Sequence, residues 1–283
     1  MATVLVTGAT GNVGAPLVRM LVDAGVTVRV LTRRLDEARA LLGGEVLLTE
    51  GGLGDASAVS AALAGAEQAF FLSRTGPELR ELATQFLTAA KDAGVRSVVA
   101  TSSSTVLIDP PVAMGLWHAE LETALVASGL GWTMLRPGNF ASNALRWASS
   151  IRAKATVFAP FAGSVSAPID PFDIAAVAFA ALTEPGHEGK RHTLTGPELM
   201  TARQQTGILG GVLGRPLHLV ELTEERAREG MATTMPPVMV DAVIELLRAS
   251  ANDELITSTV REITGREARS FETWAREHRA AFV

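Results

Sequence analysis

The sequence predicts an α/β fold: a doubly wound parallel sheet with helices on both faces, and a smaller α/β substrate portion partly interleaved with it. Three observations predict it. The first 32 residues read as strand, tight glycine turn, helix and strand. Strand-like and helix-like patterns then alternate to about residue 137. Beyond about residue 140 the alternation becomes irregular with no low-complexity linker, so the expected division is 1–140 and 141–283.

A β-branched run over 3–7 stops at Gly8, and Gly11 and Gly14 follow at three-residue intervals before a helix over 15–22. Such a strand–turn–helix brings backbone N–H groups and the positive end of a helix dipole to one point, which suits a pyrophosphate. Gly8 is expected to permit the tight turn. Gly11 should let the backbone approach the phosphates, at a positive φ, and Gly14 should let the helix pack close to the strand. A glycine-rich turn that binds nothing is the alternative, and the complete βαβ context weighs against it. These features together define a Rossmann-type sheet.

Further strands are expected over 26–32, 45–49, 68–73, 95–103 and 132–137, with helices over 56–63, 78–93 and 117–128. Gly94 and Gly129 close the last two helices. In the second half, helices are expected over 142–153, 174–182, 201–213 and 238–249, and short strands over 191–194 and 217–220. The acidic and basic run 224–229 reads as a solvated helix face. Trp147, Phe158, Phe161, Met231 and Met235 either fill a core or line a pocket for an apolar substrate.

Composition narrows the function. With 47% hydrophobic and 19% charged residues the chain buries a sizeable core rather than remaining disordered. A net charge of −5 without a basic stripe disfavours nucleic acid as a direct partner. No cysteine is present, so disulfides, thiolate nucleophiles and cysteine-held metals are excluded. His187, His192, His218 and His278 lack metal-ligand spacing, and no metal is expected. No secretory leader pattern or apolar run of roughly 18 residues is visible, so a cytoplasmic protein that does not enter the membrane is expected. A homodimer is compatible with the sequence but not fixed by it. The chain contains no tyrosine, so no mechanism can use a tyrosine acid.

A dinucleotide fold that selects NAD carries an acid about 20 residues after the glycines, on the ribose 2′-hydroxyl. Here Thr32 is followed by Arg33 and Arg34, and the first acid is Asp36. Two guanidiniums would attract a 2′-phosphate by charge-assisted contacts, so NADPH is expected over NADH. The alternative is that both are solvated loop residues.

The run 4–14, these two arginines and the segment Ser128-Gly129-Leu130-Gly131-Trp132-Thr133-Met134-Leu135-Arg136-Pro137-Gly138-Asn139-Phe140 together resemble the NmrA-like atypical short-chain dehydrogenase/reductase family. Within it the chain is most similar to bacterial NADPH-dependent quinone oxidoreductases and triphenylmethane reductases. Residues 170–175, 194–198 and 264–266 fit as well, so the resemblance spans essentially the whole chain. It implies that Gly8, Thr10, Gly11, Asn12, Val13 and Gly14 form the phosphate turn, and that Arg33 and Arg34 form the 2′-phosphate site. Gly52 and Leu53 would lie by the adenine, with Gly52 replacing a family aspartate. Leu72 and Ser73 would lie beside the nicotinamide ribose, and Thr101 and Ser102 near the nicotinamide. Pro137, Gly138, Asn139 and Phe140 would border nicotinamide and substrate. For Leu53 and Leu72, plain core packing is the alternative.

The Tyr-x-x-x-Lys pair of ordinary short-chain dehydrogenases is absent: the corresponding helix reads Trp117-His118-Ala119-Glu120-Leu121-Glu122, and no lysine lies between Lys91 and Lys154. His118 is the candidate proton or hydrogen-bond donor near neutral pH. A locally bonded helix-start histidine is the alternative. Ser102, followed by Ser103 and Ser104, either orients a substrate oxygen or satisfies loop backbone groups. The expected function is an NAD(P)H-binding oxidoreductase that reduces a quinone or a similar conjugated or aromatic electrophile by direct hydride transfer from NADPH. The alternative is a non-catalytic NADP(H)-sensing regulatory protein of the NmrA type.

Overall fold

The computed structural model describes residues 2–250 and 255–283. Strand β1 (Thr3–Thr7) leads through the glycine turn to α1 (Gly14–Asp23), β2 (Thr27–Thr32), α2 (Leu35–Leu42), β3 (Leu47–Glu50), α3 (Ala56–Leu63) and β4 (Gln68–Phe71). Next come α4 (Leu79–Asp92), β5 (Ser97–Thr101), α5 (Ala113–Ala127), β6 (Gly131–Pro137), α6 (Ala148–Lys154), β7 (Thr156–Pro160), β8 (Val165–Ser166), α7 (Pro171–Thr183) and β9 (Lys190–Leu194). The chain continues with β10 (Met200–Thr201), α8 (Ala202–Leu213), β11 (His218–Leu222), α9 (Glu224–Ala232), α10 (Pro237–Ala249), α11 (Thr259–Thr264) and α12 (Phe271–Glu277). These elements form two compact units, one built from 2–103, 116–137 and 171–193, the other from 104–115, 138–170 and the described residues after 193.

The first unit is the predicted sheet. Its strand order is β3-β2-β1-β4-β5-β6-β9. The pairings of β1 with β2 and β4, β2 with β3, β4 with β5, and β5 with β6 are parallel. The strand order reverses between β1 and β4, and ligands of open α/β sheets bind beyond the carboxyl ends of strands at such a point. Parallel central strands are buried on both faces, which explains the unbroken apolar run Val4, Leu5, Val6, each at most 1% exposed. Leu17, Val18 and Leu21 recur at helical spacing and give α1 its buried face, which packs on α7. On the other face α3 and α4 enclose Phe71 and Phe86, whose rings lie 4.9 Å apart.

The second unit has its own core around Trp274, which stacks on Phe271 and His278 at 5.5 and 4.7 Å and is fully buried. Strands β7 and β11 pair in parallel, β8 and β10 antiparallel. Helix α8 opens with a capping box between Thr201 and Gln204 and closes at Gly214, whose φ of +69° suits a residue without Cβ. Where one helix was expected over 142–153, a 3₁₀ segment (Ala141–Trp147) precedes α6. Helix α9 covers the expected solvated face, but Glu224 is tied to both Arg228 and Arg248. Helix α2 was not foreseen, because only Ala38 of it is buried; α11 and α12 are too short for periodicity to reveal. Among the described residues no helix is long and apolar enough to cross a membrane.

Candidate functional site

The turn after β1 has the geometry a dinucleotide phosphate needs. Gly8 sits at φ +64°, and a Cβ there would press on the Leu72 side chain at 3.0 Å. A Cβ on Gly14 would lie 2.2 Å from the Gly8 carbonyl oxygen and 2.7 Å from Ala9 Cα, so only glycine lets α1 start this close to β1. Gly11 differs from the expectation. Its φ is not positive, and a Cβ would meet only the Gly8 oxygen, at 3.2 Å. Its outer side is open, as backbone approach to a ligand requires. No side chain caps the N-terminus of α1, and Val13 itself is buried in the core, so the turn offers backbone N–H groups there. Thr10 is partly exposed and Asn12 exposed at the rim.

Thr7 anchors this turn to the next strand, a role the sequence did not disclose. Its hydroxyl donates to the Leu72 carbonyl at 3.0 Å and accepts from the Leu72 N–H at 2.8 Å. Leu72 and Ser73 are therefore held beside Gly8, both partly exposed.

At the end of β2, Arg33 and Arg34 are both exposed. Arg34 pairs with Glu37 at 2.6 Å, whereas Arg33 makes no ion pair among the described residues. A Cβ on Gly52 would stand 3.3 Å from Arg33 Cδ. The aspartate that the resemblance implies at this position would crowd that side chain, so Gly52 leaves room for Arg33. Asp55 does not substitute for it. Its carboxylate caps α3 by accepting from the Ser57 and Ala58 N–H groups, which hold its pKa low. Leu53 packs against the core of this unit.

The predicted catalytic pair lies in a buried polar cluster at α5. Ser102 is 3% exposed, and its hydroxyl donates to Glu122 at 2.7 Å. Glu122 also receives a two-pronged contact from Arg136 at 2.8 and 2.6 Å and a third contact from Arg191 at 3.2 Å. The Arg191 guanidinium lies over the Trp132 ring at 4.8 Å. Desolvation opposes the Glu122 charge, but these hydrogen bonds outweigh it and the pKa is lowered. The Ser102 proton is thus committed to a buried carboxylate rather than offered to a substrate oxygen. The Thr101 hydroxyl is buried with no hydrogen-bond partner among the described residues.

His118 lies one helical turn before Glu122 and inside α5, not at its start. It is 7% exposed, and its Nε2 lies 3.1 Å from the Thr75 hydroxyl, a tertiary rather than local contact. Burial lowers its pKa to about 4 despite the opposing charge of Glu122. The imidazole is therefore neutral at pH 7, and the expectation of a proton donor titrating near neutrality is corrected. Its Nδ1 is buried without a hydrogen-bond partner among the described residues.

In the second unit, Asn139 donates to the Ser166 hydroxyl at 3.1 Å and accepts from the Asn143 amide at 2.7 Å. Phe140 pairs with Ile169 across an isolated bridge and is partly exposed. Pro137 is buried at the end of β6. Trp147 belongs to the core, while Phe158, Phe161 and Met231 are partly exposed and Met235 is exposed. His187 and His192 contact each other at 3.2 Å, but no group of three metal-ligating side chains occurs among the described residues.

A parallel sheet whose first strand runs through this turn into an uncapped helix defines a dinucleotide-binding protein. The chain belongs to the NAD(P)H-binding family, whose model matches residues 8–185. It is 41% identical over 288 residues to a (4-alkanoyl-5-oxo-2,5-dihydrofuran-3-yl)methyl phosphate reductase of Streptomyces griseus, covering 99% of each chain. It is 36% identical over 282 residues to an NAD(P)H azoreductase of Xenophilus azovorans, again covering 99% of each. Its fold matches that of the Escherichia coli NADPH-dependent quinone oxidoreductase QOR2 solved with NADPH, with a TM-score of 0.82 at 23% identity over 97% of this chain and 99% of that one. The protein is an NAD(P)H-dependent oxidoreductase.

Proposed function

We propose that this oxidoreductase prefers NADPH and reduces small conjugated acceptors of the quinone class in the cytoplasm. Bound NADPH supplies the hydride. Gly8, Gly11 and Gly14 shape the turn for its pyrophosphate, and Arg33, uncommitted and given room by Gly52, receives the 2′-phosphate. The observation that carries the choice of acceptor is the poverty of acids. The chain has no tyrosine, and His118 is neutral with a pKa of about 4. An ordinary ketone needs a proton as the alkoxide forms, whereas a conjugated acceptor spreads the arriving charge over its π-system and takes protons from water later. The protein then mainly orients the acceptor and excludes solvent. His118, held by Thr75 through Nε2, assists as a neutral positioning side chain rather than as an acid. The curated relatives support this reading, since an azo group and a butenolide are conjugated acceptors too.

Two results are expected. Arg33→Ala should weaken NADPH binding by about 10-fold or more, from the loss of a contact worth roughly 1.5–3 kcal/mol, and leave NADH nearly unchanged. Calorimetric titration reads both, and equal affinities of the parent protein for the two cofactors would refute the 2′-phosphate assignment. His118→Ala should slow quinone reduction only on the order of 10-fold, below the roughly 10²–10⁴-fold of a required general acid. The parent's kcat should stay flat between pH 5.5 and 8, because the depressed histidine pKa lies below that window. A step in the profile near 6.5, or loss of all turnover in His118→Ala, would show that the imidazole is an obligatory acid.

A further inference from the structure

His187 and His192 stand five positions apart, a spacing that matches no metal motif of a helix or strand. The fold of the first unit brings them together. Helix α7 ends at Thr183, and the turn that follows leads the chain into β9 at Lys190. Gly186 and Gly189 sit in this turn at φ +94° and +73°, angles that residues with a Cβ rarely adopt. The turn is pinned to the start of β6. The His187 carbonyl accepts from the Thr133 hydroxyl at 2.8 Å, and the Gly189 N–H donates to the Trp132 carbonyl at 2.7 Å. Just before His192, Arg191 bonds to Glu122 at 3.2 Å and lies over the Trp132 ring at 4.8 Å. Both imidazoles are therefore carried on a held backbone, and both are partly buried.

His187 Nδ1 lies 3.2 Å from His192 Nε2, with ring centres 5.2 Å apart and planes at 69°. There is no room for a proton on each of these nitrogens, so at least one presents a lone pair to the other. As a hydrogen bond, the pair shares one proton. Moving that proton to the far nitrogen of its own ring gives the other neutral tautomer and leaves two lone pairs side by side, with no net proton lost. Two nitrogens at this separation suit one metal ion. A zinc ion about 2.0–2.1 Å from each would see them at about 100°, close to the tetrahedral angle. Ring rotation suffices to aim both lone pairs at the ion, and the backbone need not move. The nearby charges are mixed: the Glu184 carboxylate favours a cation at His187, and the Lys190 ammonium opposes it.

We propose that His187 Nδ1 and His192 Nε2 chelate a divalent transition metal of the zinc class, with water completing its coordination. The ion bridges the turn after α7 to β9. This site is separate from the reductase chemistry. It lies beside Trp132 at the start of β6, whereas open parallel sheets bind dinucleotides at the carboxyl ends of their strands. Imidazole ligands select zinc, nickel or copper over magnesium and calcium, which require oxygen. Two imidazoles are half of a closed zinc set, so a dissociation constant on the order of 1–100 µM is expected, well above that of a four-ligand structural site.

The test is calorimetric titration of the chelator-treated full chain with Zn²⁺, and with Mg²⁺ as the oxygen-seeking control. It compares the parent with His187→Ala, His192→Ala and His218→Ala, the last removing an exposed histidine elsewhere in the chain. Expected are one Zn²⁺ per parent chain and no Mg²⁺, affinity lowered about 10-fold or more in each of the first two variants, and no change in His218→Ala. Circular dichroism confirms that the variants fold. The parent alone gives a second reading: in two-bond ¹H–¹⁵N spectra of its five imidazoles, Zn²⁺ should move two of them with a single midpoint. Parent binding weaker than about 1 mM, equal affinity in the parent and both pair variants, or spectra in which Zn²⁺ moves one imidazole or none would overturn the proposal and leave the pair as a hydrogen bond. None of these measurements needs turnover, so the result is independent of the reductase reading.

Discussion

Gly11→Val is expected to abolish dinucleotide binding in a protein that remains folded. The three glycines of the turn have different tasks, and only Gly11 can be changed without breaking the scaffold. A side chain at Gly14 would overlap the Gly8 backbone at 2.2 Å, and one at Gly8 would sit at a positive φ against Leu72. At Gly11 a Cβ meets a single oxygen at 3.2 Å and the backbone angle is ordinary, so the strain on the fold is small. The two methyl groups of valine would instead occupy the exposed side of the turn, where we propose that the phosphates approach the backbone. Losing one charge-assisted contact to a phosphate costs about 1.5–3 kcal/mol, and displacing the pyrophosphate removes several together. The affinity for NADPH should fall by about 100-fold or more. Fluorescence titration beside a circular dichroism melt measures both halves. Retained binding would show that the pyrophosphate sits elsewhere.

Glu122→Ala is expected to destabilise the protein by about 3 kcal/mol, within the roughly 3–5 kcal/mol range for removing one partner of a buried ion pair. The Glu122 side chain is 8% exposed and that of Arg136 17%, so the guanidinium left behind would be largely desolvated without a counter-charge. Ser102 and Arg191 would lose their acceptor as well. For a chain of this length the melting temperature should drop by about 6–12 °C. Glu122→Gln, which keeps the shape and one acceptor oxygen, should cost less. The sign with pH follows from the lowered pKa of Glu122. The charge contributes its full stabilisation above the ordinary carboxylate value of 4.5, and this is lost as pH falls through the lower folded value. The stability gap between parent and Glu122→Gln, read by urea denaturation, should therefore be constant from pH 8 to about pH 5 and close below it. A gap that widens in acid would mean that Glu122 is protonated in the native protein.

The scaffold was legible because its signals are local. The alternation of strands and helices gave the parallel sheet, and three glycines at fixed spacing gave the turn. What escaped depends on partners far apart in the chain. Glu122 looks like an ordinary helix-surface residue until Arg136 and Arg191, 14 and 69 positions away, fold onto it. The neutrality of His118 is a consequence of burial, which no spacing shows. The arginines after β2 were visible, but not that Glu37 engages Arg34 while Gly52 leaves space for Arg33. The 3₁₀ segment Ala141–Trp147 stands where an α-helix was expected to begin, since apolar residues three apart serve both periods.

The account stands on hydride transfer from NADPH bound at the glycine turn to a conjugated acceptor without an obligatory protein acid. NADPH deuterated at the transferred position of the nicotinamide, with a naphthoquinone as acceptor and no added flavin, tests it most directly. The account predicts NADPH oxidation that depends on the quinone, a primary deuterium isotope effect on the single-turnover rate, and no inflection of that rate between pH 5.5 and 8. Tight NADPH binding with no oxidation by any conjugated acceptor would contradict it.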